Sequence, residues 1–382
     1  MADRIKNINK EILEWAILRA GNDLDEFYLK NPKVQDWVEN ESNPTLKQLE
    51  GFTQKVHVPF GYMFLNEPPE EDIPIPFFRS GQKKPEAASI TLNVFHTIQI
   101  LQERQSWLTE YLINVDYDDL TFVGKYDVKT GYSTIANDIK KTLGLNDGWA
   151  NRFRTWEEAL NHLTQKIEET GVIVTFNGVV GNNTRRVISP TDCRGFVLVD
   201  QKAPFLFINS ADAKAAQMFT LIHELAHIWL GETAGFDNSK MMPANHPVEF
   251  LCDKVAAEFL VPENYLKDVW QEKQGFHQLA KYFKVSQIVV ARRALDLKLI
   301  SKTEFFGFYN NYIEGVKAKK ENAKTSGGDF YATAKKRISL RFASFVNNAV
   351  NENALLYRDA YKLTTLKGDT YERFVKEHLH QV

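Results

Sequence analysis

The chain is predicted to be mostly α with a small β-sheet, an α+β protein with a helical N-terminal domain and a helical C-terminal tail. Three observations point there. Residues 9–66 and the last fifty residues consist of short segments with helical apolar spacing, bounded by capping residues. Between 171 and 210 the spacing gives way to short β-branched and aromatic runs separated by Gly, Asn, Asp and Pro. Helical spacing then returns. At 382 residues the chain is too long for one ordinary core. Five segments are expected: a helical domain over 1–66, a Pro-rich linker over 67–87, a helical connecting region over 88–170, a mixed domain over 171–300 and a basic helical region over 301–382.

The N-terminal elements follow from local chemistry. Leu13, Trp15, Ala16 and Leu18 lie in a first helix that ends near Gly21. Asp23 is placed to cap a second helix through Leu29, and Pro32 suits the first turn of a third that carries Val34, Trp37 and Val38. Thr45 opens a fourth, and PFGYMFLNE a short fifth. NEPPEEDIPIP (66–76) holds four prolines in eleven residues and reads as extended. Helices are expected over 88–113, 133–144 and 156–170. GVIVTFNGVV, RGFVLVD and PFLFINS are the expected strands. A helix from about Ala211 to Leu230, capped by Asn209 or Ser210 and stopped by Gly231, precedes the turn-rich loop GETAGFDNSKMMPANH. A further helix spans about Pro247 to Leu260, two short ones fall within 276–299, and KAKKENAKTSGGD (317–329) is a polar, basic connection.

Composition narrows the function classes. Hydrophobic content of 43% with 25% charged residues is that of a globular chain, which excludes a disordered one. Cys193 and Cys252 cannot build a disulfide framework, so a reducing cytoplasmic setting is expected, with both cysteines as small buried hydrophobes. The N-terminus lacks the apolar core of a signal peptide, and no run of 18 apolar residues suggests a membrane span. Charge is unevenly spread. Residues 1–70 carry 8 Lys/Arg against 12 Asp/Glu, a net of −4, whereas residues 301–382 carry 14 against 9, a net of +5. Phosphate contacts need positive charge, so the N-terminal domain is expected to bind DNA weakly at most.

The chemistry concentrates in TLIHELAHIWL, residues 220–230. Four residues apart on a helix, His223 and His227 share one face, and both imidazoles can reach one metal ion. Glu224 lies about 100° around the helix, unable to be a third ligand but able to reach a water on that ion. A bare HExxH pattern is as often an exposed helix with a surface charge pair. Here the flanking Leu221, Ile222, Leu225, Ala226, Ile228 and Trp229 predict burial, and buried polar groups need partners. VEFLCDKVAAEFLVP (248–262) is a second apolar helix with Glu249 and Asp253 four apart. Glu249 is the expected third ligand. Glu258, nine residues on, is the alternative and points to the other side. Asp253 is expected to accept the second N–H of a ligand histidine, with a backbone or surface partner as its other reading. Three protein ligands leave a fourth position for water, as in catalytic zinc sites, where zinc lowers that water's pKa to about 7. Glu224 would take the water's proton and pass it to the leaving amine of a peptide. His246, Tyr265 and Arg292 are candidates for a second oxyanion donor, each more simply read as structural.

The run RGFVLVDQKAPFLFINSADAKAAQMFTLIHELAHIWLG, followed by EFLCDKVAAEFLVP and YFKVSQIVVARRALDLKLI, resembles the ImmA/IrrE family of metallo-endopeptidases. The resemblance implies a zincin-like domain with a gluzincin-like site: Zn2+ held by His223, His227 and Glu249, and Glu224 as base. WVENESNPTLKQLEGFTQKVHVPFGYMFLNEPPEEDIPIPFFRS looks like an XRE-type helix-turn-helix domain joined to a Pro-rich linker, as in longer members. The likeness covers about 9–80 and 172–300. Family members often cleave a repressor or antitoxin, which implies a DNA-binding regulatory protein as substrate in a gene-regulation, stress or phage-defence switch. The other expectations are a DNA-binding transcriptional regulator, or a toxin–antitoxin component, whose peptidase domain is a sensor or scaffold. The third N-terminal helix offers Lys33 and Gln35 but also Asp36 and Glu39, so weak operator binding and protein docking stand equally open.

Overall fold

The computed structural model of the protein describes residues 4–6, 8–70, 77–79, 91–237, 247–270, 275–320 and 330–379. The chain divides into two compact units, Met1–Pro74 with Ala88–Phe95, and Ile75–Ala87 with His96–Val382.

The first unit contains helices α1 (Lys10–Arg19), α2 (Leu24–Lys30), α3 (Pro32–Val38) and α4 (Leu46–Val56). The caps lie where side-chain chemistry puts them. Asp23 accepts from the Glu26 N–H, Pro32 opens α3, and Thr45 forms a capping box with Gln48. PFGYMFLNE forms only a 3-10 turn, Phe60–Phe64. Ile12, Leu13, Ile17, Trp37, Leu49, Phe52 and Met63 share one small core, with Phe52 edge-on to both Phe27 and Trp37.

The second unit is built on a five-stranded mixed sheet. Its elements run β1 (Phe77–Arg79), α5 (Leu92–Asn114, of which the residues from His96 on belong to this unit), α6 (Tyr132–Thr142), α7 (Trp156–Glu169), β2 (Ile173–Asn177), β3 (Val179–Val180), β4 (Asn183–Val187), β5 (Gly195–Leu198), β6 (Phe205–Asn209), α8 (Lys214–Leu230), β7 (Ala234–Asp237), α9 (Pro247–Leu260), α10 (Glu263–Val269), α11 (Gly275–Phe283), α12 (Gln287–Asp296), α13 (Lys302–Lys320), α14 (Phe330–Ile338), α15 (Leu340–Asn351), α16 (Tyr357–Thr364) and α17 (Asp369–His378). Strand order is β1-β7-β5-β6-β2, and β3 and β4 make a separate hairpin. The β2–β6 and β1–β7 pairs are parallel, while β5 is antiparallel to both neighbours.

β2, β5 and β6 are buried along their whole length, which explains their unbroken apolar runs. One face, carrying Val174, Phe176, Val197, Leu206 and Ile208, joins the large core formed with α6–α9, α11 and α12. On the other face Phe196 stacks on Phe207, and Phe205 meets Phe342 of α15 edge-on. α5 covers the same layer, with Gln105 donating to the Leu198 and Ala203 carbonyls. The C-terminal helices therefore supply the second covering layer of the sheet and are not a loose tail. Arg104 of α5 is buried and donates to the carbonyls of Arg337 and Leu363, at the C-terminal ends of α14 and α16. The negative ends of two helix dipoles thus meet one guanidinium.

Several elements differ from the sequence reading. The Pro-rich linker contributes β1, and the turn-rich loop contributes β7; both exist through pairing with neighbours, not through a periodic pattern of their own. β4 was invisible because Asn183–Val187 is a mostly exposed, polar strand without apolar alternation. α10 starts directly after Pro262, where only a helix stop was expected. α8 begins at Lys214, three residues later than expected, and Ala213 gives it no side-chain cap. Asn209 is engaged elsewhere. Its amide donates to the Ile188 and Cys193 carbonyls, and its oxygen accepts from the Ala211 N–H.

Ser339 shows how the C-terminal helices are fastened. It sits at φ 69°, costly for a residue with a Cβ, and its hydroxyl caps α15 while donating to Glu168 of α7. Burial pushes the Glu168 carboxyl up to about 7, against the opposing pull of Ser339, the Val174 N–H and Arg341. The folded state thus favours the protonated acid. Its contribution to stability is full below about pH 4.5 and is lost as pH rises through about 7. Urea unfolding of the wild type should lose about 2 kcal/mol across this window, allowing for partial solvent screening, and Glu168→Gln should remove that pH dependence.

Candidate metal centre

α8 is buried from Thr220 to Leu230, so every polar group it carries there must be satisfied inside the protein. Its two ends are fixed. At the start, buried Gln217 donates to the Ser210 and Asp212 carbonyls. At the end, the N–H groups of Gly124 and Tyr126 bond the Ile228 and Trp229 carbonyls, and Gly231 turns the chain at φ 72°. Trp229 stacks on Phe122 with ring centroids 4.3 Å apart and donates to Asp138, which is paired with Lys125.

α8 packs along α9, and the polar side chains converge between them. His223 Nε2 is 3.1 Å from Glu249 Oε2, His227 Nε2 is 3.2 Å from Glu249 Oε1, and the two Nε2 atoms are 3.3 Å apart. His223 Nδ1 is 3.1 Å from Asp253 Oδ1. His223 and Glu224 are 0% exposed, His227 1% and Glu249 3%. Neither carboxylate oxygen of Glu224, nor His227 Nδ1, has a hydrogen-bond partner among the described residues.

These separations are those of atoms facing one ion. Ligands about 2.0–2.1 Å from a tetrahedral centre stand about 3.3–3.4 Å from one another. The charges point the same way. Burial pushes His223 down, but its bonds to Asp253 and Glu249 outweigh that and hold it up at about 10. Burial pushes Glu249 up, but both imidazoles hold it down at about 2. Burial drives Glu224 well above the usual carboxylate range. Glu249 faces both Nε2 atoms and buried Glu224 follows a ligand in sequence, so positive charge between the imidazoles balances carboxylates that water does not reach. His223, His227 and Glu249 form a buried group able to hold a metal ion.

The remaining expected residues go elsewhere. Glu258 pairs with Arg293 and accepts from the Glu263 N–H, which removes it as a ligand. Tyr265 accepts from the Tyr282 hydroxyl, and Arg292 pairs with Asp296 one turn along α12. His246 lies outside the described residues. Cys193 and Cys252 are both fully buried, and the Cys193 thiol donates to the Gly195 carbonyl. The Asp138 anchor of Trp229 had no signal in the sequence, since a lone acid on a helix marks nothing by itself.

Residues 168–295 match the family model described as the IrrE N-terminal-like domain, Peptidase_M78. This stretch, which contains both α8 and α9, is similar to metallopeptidases of the ImmA/IrrE type. Residues 338–377 match a domain of unknown function, DUF8813. No curated protein matches the chain. Among the described residues no helix is long and apolar enough to cross a membrane.

Metal-stripped protein dialysed against zinc should take up one ion per chain by mass spectrometry. His223→Ala should abolish uptake, and Asp253→Asn should weaken affinity by about 10–100-fold by freeing the imidazole to rotate.

Proposed function

We propose that the chain is a zinc-dependent endopeptidase whose substrate is a regulatory protein, a repressor or antitoxin, in a gene-regulation, stress or phage-defence switch. The observation that carries the chemistry is the triad of ligand atoms 3.1–3.3 Å apart, next to a buried carboxylate with no partner of its own. His223, His227 and Glu249 hold the ion. Asp253 accepts from His223 Nδ1–H, which selects the tautomer that leaves Nε2 free to ligate. The bound dication supplies Lewis acidity toward the scissile carbonyl.

Glu224 acts on the proton. It follows a ligand directly in sequence, and its burial raises its affinity for a proton. As base it accepts one from the attacking water, and the acid so formed delivers it to the leaving amine. The dry surroundings strengthen both transfers, because no bulk water competes for the carboxylate. Two histidines and a carboxylate also suit ferrous iron. A buried, unpartnered acid one residue after a ligand favours hydrolysis, and with it zinc.

For the N-terminal unit a docking role is favoured over operator reading. On α3, Val34, Trp37 and Val38 are spent on the core, and the Gln35 amide is bonded to Glu39. Lys33 alone remains on α3 with a side chain suited to base or phosphate contact, and residues 1–70 carry a net charge of −4.

The test is cleavage of a co-encoded helix-turn-helix regulator by zinc-loaded full-length protein, followed by gel and mass spectrometry. Glu224→Gln should bind zinc as the wild type does and lose activity by at least about 10²-fold. Equal cleavage by both would remove Glu224 as base. Salt-dependent promoter binding that survives zinc removal would instead favour the regulator reading.

A further inference from the structure

Gly195 is the first residue of β5 and is buried. Its backbone does not call for glycine: it is absent from the positive-φ positions and pairs in regular register with Ile208 and Phe236. Space does. A Cβ at this position would lie 2.6 Å from Thr220 Cγ2, 2.9 Å from the Phe207 carbonyl oxygen and 3.3 Å from Glu224 Cγ. Thr220 and Glu224 are four residues apart on α8, so one stripe of that helix lies flush against bare β5 backbone. The two histidines point to α9, where Glu249 and Asp253 meet them.

We propose that Gly195 is a positioning residue for the general base: the recess left by its missing side chain seats the stem of Glu224 and so sets where the carboxylate stands beside the ion. This rests on the reading of Glu224 as base. A glutamate stem has freely rotating bonds, and neither Glu224 oxygen is tethered by a hydrogen bond among the described residues. Packing is then what orients it, and the β5 backbone at Gly195 is one wall. A methyl group there is held off the Phe207 carbonyl on one side, so it moves toward α8 and either pushes the stem aside or lifts the helix off the strand. Displacements near 1 Å are enough to cost about 10²-fold in a positioned group. The ligand set faces the other helix, so the ion should stay.

The discriminating measurement uses full-length protein loaded with Co2+, whose visible bands report the ligand set. Acetohydroxamate is the probe, a small chelator that binds a metal as its anion, so that a carboxylate beside the ion takes up the released O–H proton and shares it with the bound oxygen. Gly195→Ala should retain one cobalt with wild-type bands and bind acetohydroxamate at least about tenfold more weakly, close to the loss in Glu224→Gln. Adding Thr220→Ser removes the methyl that the new Cβ meets first, and should restore part of the affinity. Wild-type affinity in Gly195→Ala would overturn the proposal, as would loss of cobalt in both Gly195→Ala and Gly195→Ala/Thr220→Ser. If Gly195→Ala does not fold, the double variant is measured in its place, and failure of both to fold makes Gly195 architectural and overturns it too. A wild type that binds cobalt but gives no response to acetohydroxamate, or a Glu224→Gln that binds it as tightly, overturns the base reading itself.

Discussion

Ionisable groups with almost no access to water, gathered between α8 and α9, are the constraint around which the second unit is organised. Glu224 and Glu249 are buried with two imidazoles in a region where an unbalanced charge costs several kcal/mol, and partly exposed Asp253 braces one ring from its other side. Such a cluster persists only if its geometry is held tightly. The protein does this with ordinary devices: a Gln217 bridge at one end of α8, loop N–H groups on the last carbonyls at the other, and a tryptophan clamped between Phe122 and Asp138. None of these devices touches the cluster itself, yet each fixes the helix that carries it.

What was legible in the sequence follows from where the information resides. α9, Pro247–Leu260, agrees with the span of about Pro247 to Leu260 that the sequence implies, because proline opens it, Pro262 follows its end and apolar spacing fills it. The convergence of His223, His227, Glu249 and Asp253 was readable for the same reason, since four-residue spacing on two helices fixes which groups share a face. The rejection of Glu258 needed nothing more than helical phase.

The remainder depended on pairing across distance. β7 and β1 hold together by backbone bonds to partners far along the chain, and no local pattern announces them. Asn209 looked like a helix cap because its side chain is of the capping type, but three loop groups compete for it and win. The tie between Ser339 and Glu168 joins residues more than 170 positions apart. Gly195 is subtler, since glycine is usually read as a demand of its own φ, and here the demand comes from Thr220 and Glu224 on the helix opposite and from the Phe207 carbonyl of the next strand.

The layer that α15 places on the sheet bears on where a self-sufficient fold ends in this chain. The stretch matching the peptidase family ends at residue 295, before Phe342 and the helices around it begin. Cut out alone, that stretch would leave Phe205 and the carbonyls bonded by Gln105 facing solvent. The segment that the family model matches and the segment that folds as a covered sheet therefore have different borders in this chain. A transplant of residues 168–295 alone would carry the reagents without their vessel.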